Sequence, residues 1–344
     1  MQDYEKIMRD ITSGMTGDSE KDIAYLIKKQ DEYQNHELKI EITRAIGRMM
    51  YEIAPKELLD TFNSELQQDQ LTLHQLYEEA NYQIYMKNYN KAMDLLKVCI
   101  SRMEEFPFNH DSVSEYYSFF NYFEGILYKK LTQSTRKFRA IPDNYAAIYL
   151  TYGALLVEIK EYEKAEKALE SALIYNPIYS EAMFELGEVY KMNNDMEKYF
   201  NLAKRALKSV YSRKNLARCY RNIGYYLVEK MDYSGAIAAF YLSTHYENAP
   251  IAMSELHYIS VITKQKIEPP TYEEIKKCLE PYDIEMGASP LVWALAYHLG
   301  NHLFEEKNYE ASLFLYRIVN DLDPHKDFEE KIKLLEEITN SQEN

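Results

Sequence analysis

The side chains best spaced for metal chemistry are His298 and His302, four residues apart, with Glu305 and Glu306 following them. On a helix that spacing puts both imidazoles on one face, where they could supply two ligands to zinc. The pair lacks a dedicated third ligand and Gly300 sits between them, so ordinary packing or solvent contact is expected and no metal site is assigned. The three cysteines, Cys99, Cys219 and Cys278, are odd in number, far apart and without any CxxC spacing. Buried free thiols in a reducing, cytoplasmic setting are expected from such usage. Glycines are single rather than clustered, so no phosphate-cradling loop is present, and neither a GxSxG elbow nor a catalytic cysteine context occurs. The chain is therefore read as a non-enzyme without a cofactor.

Charge narrows the partners. Subtracting 55 acidic from 40 basic residues gives −15, and an acidic surface repels phosphate backbones and anionic headgroups. Nucleic-acid binding is not expected, and neither a signal peptide nor an apolar run of membrane-spanning length is read from the chain. Two stretches carry local positive charge: Lys129, Lys130, Arg136, Lys137 and Arg139, and then Arg205, Lys208, Arg213, Lys214, Arg218 and Arg221. The first is expected to be a solvated basic face. Tyrosine is the outlier, at 33 of 344 residues. Most of them are expected to pack between helices with the hydroxyl at a rim, and a minority to face a recognition surface.

The elements that position these residues follow from composition and spacing. A chain of 344 residues is long enough for about two domains. Gly and Pro number 10 each, well below their usual share of roughly 12% together, so the many tight turns of a sandwich or barrel are excluded. Leu, Ala, Glu, Lys and Met outnumber the β-branched residues, which favours an all-α fold.

One frame recurs along the chain. From Ala146 to Tyr179, a helix carrying Tyr149, Tyr152, Gly153 and Leu156 is followed by a polar break, and a second helix then carries Tyr162, Ala165, Leu169 and Ala172 before Asn176-Pro177 closes it. Gly187 lies 34 residues after Gly153, Gly224 lies 37 after Gly187, and Gly300 lies 76 after Gly224. Ala236 and Phe240 follow Gly224 in the same places, and Ser312, Tyr316 and Pro324 follow Gly300. Upstream, Tyr89, Ala92 and Leu96 repeat the second-helix step. This pattern resembles the tetratricopeptide repeat over residues 70–326. The resemblance implies about six stacked antiparallel helix pairs forming a right-handed α-solenoid, with Gly153, Gly187, Gly224, Gly300, Ala165 and Ala236 at close helix contacts and Pro177 and Pro324 closing units. Units 180–213 and 293–326 depart from the pattern, with Tyr199 and Ser312 where a small alanine is usual. Units 112–143 and 251–285 are degenerate, and the first is read as an aromatic helix from Tyr116 to Tyr128, surrounded by Tyr116, Tyr117, Phe119, Phe120, Tyr122 and Phe123.

Residues 1–69 lie outside the frame and are read as an N-terminal helical bundle or degenerate capping repeats. One helix starts at Ser19-Glu-Lys-Asp22, a second runs through Leu38, Ile42, Ile46 and Met49, and a third opens at Pro55 with Leu58, Leu59 and Phe62. Residues 64–72 are expected to be a hinge, and residues 327–344 a C-terminal capping helix with a frayed tail.

The resemblance implies a non-enzymatic interaction scaffold that holds a protein or peptide segment in a concave groove lined by first helices. The alternative is a peptide-responsive bacterial regulator whose N-terminal helices act on a target. A homo-oligomer stays open. The implied groove residues are Glu181, Glu185 and Glu188, then Arg218, Arg221, Asn222 and Tyr225; of these, 218, 222 and 225 form one helical stripe at i, i+4 and i+7. Two readings stand side by side. The Glu and Arg stripes pair across adjacent helices, or Arg218 and Arg221 offer forked donors to a partner's carboxylate or backbone while Tyr225 packs beside it. A clamp for a C-terminal carboxylate is not expected, because Tyr297 stands where Leu299-Gly300-Asn301 would need a basic neighbour.

Overall fold

A computed structural model describes residues 2–56, 71–105 and 107–342. The chain divides into two compact units, Met1–Ser118 with Ser134–Ile148, and Phe119–Gln133 with Tyr149–Asn344.

The first unit opens with α1 (Gln2–Ser13), α2 (Ser19–Glu32) and α3 (Lys39–Ile53). Their apolar faces meet in a core of Tyr4, Ile11, Leu26, Ile42 and Ile46, joined by Val113. The α1–α2 corner is fixed by Asp22, whose buried carboxylate accepts the Thr16 N–H at 2.7 Å, the Thr16 hydroxyl at 2.9 Å and the Gly17 N–H at 2.8 Å. Those bonds hold its pKa below the usual carboxylate value. The helix expected from Pro55 and most of the hinge expected at 64–72 lie outside the described residues. At the end of that stretch Thr72 caps α4 (Leu73–Tyr85), with Gln75 completing a reciprocal capping box. Helix α4 packs on α5 (Tyr89–Glu105).

The aromatic helix expected from Tyr116 to Tyr128 begins only at Tyr122. Ser114–Tyr117 is a strand, β1, pairing in parallel with β2 (Lys137–Ala140), Tyr116 opposite Arg139. All four residues of β1 are buried. Four residues, Ser-Glu-Tyr-Tyr, buried on both faces show no apolar alternation, so periodicity cannot identify the strand. Parallel strands need a long crossover; between β1 and β2 the chain forms α6 (Tyr122–Thr132), capped by Asn121, which belongs to the second unit. The stretch 112–143 is thus strand, helix and strand rather than a degenerate helix pair.

The second unit contains α6 and the repeats. After α7 (Tyr145–Glu158) come α8 (Tyr162–Tyr175), α9 (Ser180–Met192), α10 (Met196–Leu207), α11 (Arg213–Glu229), α12 (Tyr233–Tyr246), α13 (Pro250–Thr263), α14 (Tyr272–Leu279), α15 (Pro290–Glu305), α16 (Tyr309–Leu322) and α17 (Lys326–Gln342). Gly153 lies against Leu169, Gly187 against Tyr199, Gly224 against Phe240 and Gly300 against Tyr316. A Cβ would fall 2.7 Å from its neighbour at Gly153 and 2.8 Å at Gly224, and 3.3 Å at Gly187 and Gly300.

Sizes are complementary at these crossings. Twelve residues after the glycine stand Ala165, Ala236 and Ser312, and sixteen after it Leu169, Phe240 and Tyr316. In the α9–α10 pair the order is exchanged: Tyr199 is large and Ala203 is small, and both are buried. Ser312 is tolerated in a buried place because its hydroxyl donates to the Gly300 carbonyl at 2.8 Å.

The hairpin turns repeat as well. Lys160, Asn194, Met231 and Lys307 have left-handed backbones, with φ of 63°, 58°, 58° and 63°, each seven residues after its glycine. The next N–H reaches back five residues, as Asp195 N to Tyr190 O at 2.8 Å and Asp232 N to Leu227 O at 2.9 Å, the 6→1 closure of a Schellman turn. Lys87 in the first unit has the same turn, with φ of 60°, and buried Ala80 holds the glycine's place in α4. The all-α architecture of successive helix pairs therefore stands, with one two-stranded exception. The expected 251–285 unit has no glycine crossing; α13 and α14 each pack on α12. At the end, α17 covers Leu313 and Tyr316 with Leu335 and Phe328.

Helix α6 is pinned by a buried carboxyl. Glu124 Oε2 accepts the Phe120 N–H and the Asn176 amide, both at 2.9 Å, while the Tyr211 hydroxyl donates to Oε1 at 2.8 Å. Burial outweighs those three bonds and raises its pKa.

Candidate partner-binding surface

Helix α9 begins at Ser180, and its first two and a half turns place Glu181, Glu185 and Glu188 along one side. Helix α11 is capped by Ser212, whose side chain accepts the Asn215 N–H, and runs alongside. Across this pair Asn215 donates to Ser180 and Glu181, each at 2.9 Å. Arg218 reaches Glu185 at 3.3 Å with its guanidinium 4.6 Å above the Phe184 ring. Lys191 stands 3.9 Å over the Tyr225 ring and 3.7 Å from Glu188. The structure thus brings together Glu181, Glu185, Glu188, Arg218 and Tyr225 on neighbouring first helices, with Asn222 buried between 218 and 225 on α11. Arg221 turns toward the other side, to Glu247 at 2.8 Å beyond the end of α12.

Sequence reasoning missed an exposed stripe on α13. That helix buries Ala252, Leu256 and Ile259, one clean stripe. Ile251, Glu255, Tyr258 and Ile262 form a second stripe at i, i+4, i+7 and i+11. Ile251 is 58% exposed, Tyr258 50% and Ile262 39%. The Glu255 charge in this stripe acts on the Tyr225 hydroxyl of α11, as do those of Glu188 and Glu229. Burial first, then these three carboxylates, raise the Tyr225 pKa. Neither Glu229 nor Glu255 forms an ion pair among the described residues. The signal was available in the sequence: α13 has more apolar positions than one buried face needs.

Tyrosines fill matching places elsewhere. Tyr149 stacks on Tyr175 and Tyr220 on Tyr246, centroids 5.9 Å apart in both cases. Each pair sits four residues before and twenty-two after its glycine.

The histidine pair does not converge on a common ligand site: His302 approaches Glu306 at 3.4 Å, and His298 lies beside the Tyr297 ring. Among the described residues no group of three His, Cys, Asp or Glu is placed to hold a metal ion. Cys99 and Cys219 are buried and Cys278 is half-buried, all unpaired. Asn301 is engaged by the Tyr316 hydroxyl at 2.6 Å and by Lys331 at 3.3 Å. No helix among the described residues is long and apolar enough to cross a membrane.

No family model and no curated protein matches the chain, and no enzyme family is indicated. Among solved structures it is similar to tetratricopeptide-repeat proteins. A tetratricopeptide repeat protein from Parabacteroides merdae is 12% identical over 91% of this chain and 98% of that one, with a TM-score of 0.40. MamA is 17% identical over 60% of this chain and 94% of its own, with a TM-score of 0.37. A Rap protein, solved in complex with competence and sporulation factor, is 15% identical over 96% and 98%, with a TM-score of 0.32. The repeat assignment rests on the glycine crossings and turns described above.

Proposed function

We propose that the chain is a non-enzymatic interaction scaffold whose second unit binds a segment of a protein partner across α9, α11 and α13. The observation that supports this most is the exposed stripe of Ile251, Tyr258 and Ile262 beside Glu255 and Glu229. Apolar and aromatic side chains next to carboxylates that no Lys or Arg among the described residues holds, Glu229 being hydrogen-bonded with Tyr225, suit a segment that offers apolar residues and at least one Lys or Arg. Arg218 takes part through Glu185, holding that carboxylate in place, so the acidic side chains left for a ligand are those around Tyr225. The reading includes a cytoplasmic location, supported by three unpaired cysteines that suit a reducing compartment.

The test is selection of peptides from a random display library on the full chain. Peptides pairing basic with apolar residues are expected, and Tyr258→Ala and Glu255→Lys should each weaken a selected peptide at least about tenfold, or about 1.4 kcal/mol, with thermal unfolding unchanged. Selected peptides that are acidic, or that bind both variants like the parent, would refute the surface.

A further inference from the structure

Two residues of the first basic stretch of the sequence, Lys137 and Arg139, line a cavity. Within the first unit, α1, α3 and β2 line a broadly open cavity of about 850 Å³. Strand β2 sends alternate residues to one face, and Lys137 and Arg139 both reach this cavity, together with Arg9 from α1 and Arg48 from α3. Two carboxylates, Glu5 and Glu52, complete the charged lining, leaving a local excess of two positive charges in a chain of net charge −15.

The four cations are not consumed by the fold. Elsewhere in the same unit Arg44 pairs with Asp111 at 2.8 Å and Arg136 pairs with Glu115. Among the described residues none of Arg9, Arg48, Lys137 and Arg139 forms an ion pair. Arg48 makes one long bond, 3.4 Å, to the Tyr116 hydroxyl. Arg139 Nε is buried without a hydrogen-bond partner, so the fold does not use that donor.

We propose that this cavity binds a small phosphorylated molecule, its phosphate oxygens held by the forked guanidinium groups of Arg48 and Arg139 and its remaining charge balanced by Arg9 and Lys137. Two arginines fit this role because their planar donors match phosphate oxygens two at a time. The ligand is a phosphate ester or anhydride, and the proposal is independent of partner binding by the second unit.

Calorimetric titration of the full chain with inorganic pyrophosphate tests it, with citrate as a polycarboxylate of comparable charge. Pyrophosphate is expected to bind at millimolar concentration or below, more tightly than citrate, and to raise the unfolding temperature. Arg9→Ala combined with Arg48→Ala should weaken it at least about tenfold, and Arg48→Lys, which keeps the charge and loses the fork, should fall between. Should the double variant not fold, Lys137→Glu at an exposed strand position is expected to weaken binding by a similar factor. Lys266→Glu, the same charge change on a side chain 85% exposed in the second unit, should bind like the parent. No heat with millimolar pyrophosphate, citrate binding as tightly, or equal weakening by Lys137→Glu and Lys266→Glu would each overturn the proposal.

Discussion

An alanine at Gly224 would place its Cβ 2.8 Å from Phe240 Cε1, 2.9 Å from Cζ and 3.0 Å from Cδ1. Carbon atoms in contact prefer about 3.5–4.0 Å, so the ring or one helix must move by several tenths of an ångström. Phe240 is 1% exposed and cannot withdraw toward solvent. Overpacking of this kind costs about 1–3 kcal/mol, against about 1 kcal/mol gained when glycine becomes alanine inside a helix. The net effect expected for Gly224→Ala is a loss of about 0–2 kcal/mol, and Gly153→Ala, with Leu169 Cγ at 2.7 Å, belongs to the same class. Gly187→Ala meets Tyr199 only at 3.3 Å, so strain and propensity nearly cancel. Gly47→Ala, in α3, meets nothing within 4 Å and should stabilise the first unit by up to about 1 kcal/mol. Urea unfolding followed by far-UV circular dichroism ranks the variants. A Gly224→Ala protein more stable than Gly187→Ala would refute the close crossing and the frame built on it.

Other outcomes follow from single side chains. Met231→Gly should raise stability by up to about 1 kcal/mol, because a left-handed L-residue costs roughly 1–2 kcal/mol and glycine returns about 0.5–1 kcal/mol in chain entropy; a lowered urea midpoint would show the turn to be unstrained. Since burial raises the Glu124 pKa above its ordinary 4.5, the stability it gives at low pH is lost as pH rises through the folded value, and Glu124→Gln should remove that slope from the urea midpoint. Asp22 has the opposite sign: its lowered pKa contributes stability above its ordinary 3.8, lost on acidification, and Asp22→Asn should flatten the acid limb. In native protein at mildly alkaline pH, Cys278 should alkylate before Cys99, whose thiol burial pushes up to about 11, and before the wholly buried Cys219; mass spectrometry reads the order.

The repeat frame was legible because close helix crossings demand glycine, and glycine is rare enough in this chain to be counted. Where the demand is met another way the frame was hidden: Ala80 replaces the glycine of the α4–α5 pair, and Tyr199 with Ala203 exchanges the usual sizes. Strand β1 escaped because four buried residues carry no period. The Glu and Arg stripes were placed on neighbouring helices by counting alone, since i, i+4 and i+7 share a face. The direction of Arg221 was not legible, because its partner Glu247 lies 26 residues away beyond the end of another helix. The exposed stripe of α13 was masked by its own excess of apolar residues, only three of which the fold buries. Lys137 and Arg139 looked like solvated charges until β2 placed them opposite α1 and α3.

Hydrogen exchange of the full chain with and without a library-selected peptide tests the central claim most directly. Slowed exchange is expected in α9, α11 and α13, with α8, α10 and α12 unchanged. Protection confined to the second helices of the pairs, or absent from the second unit, would contradict the account.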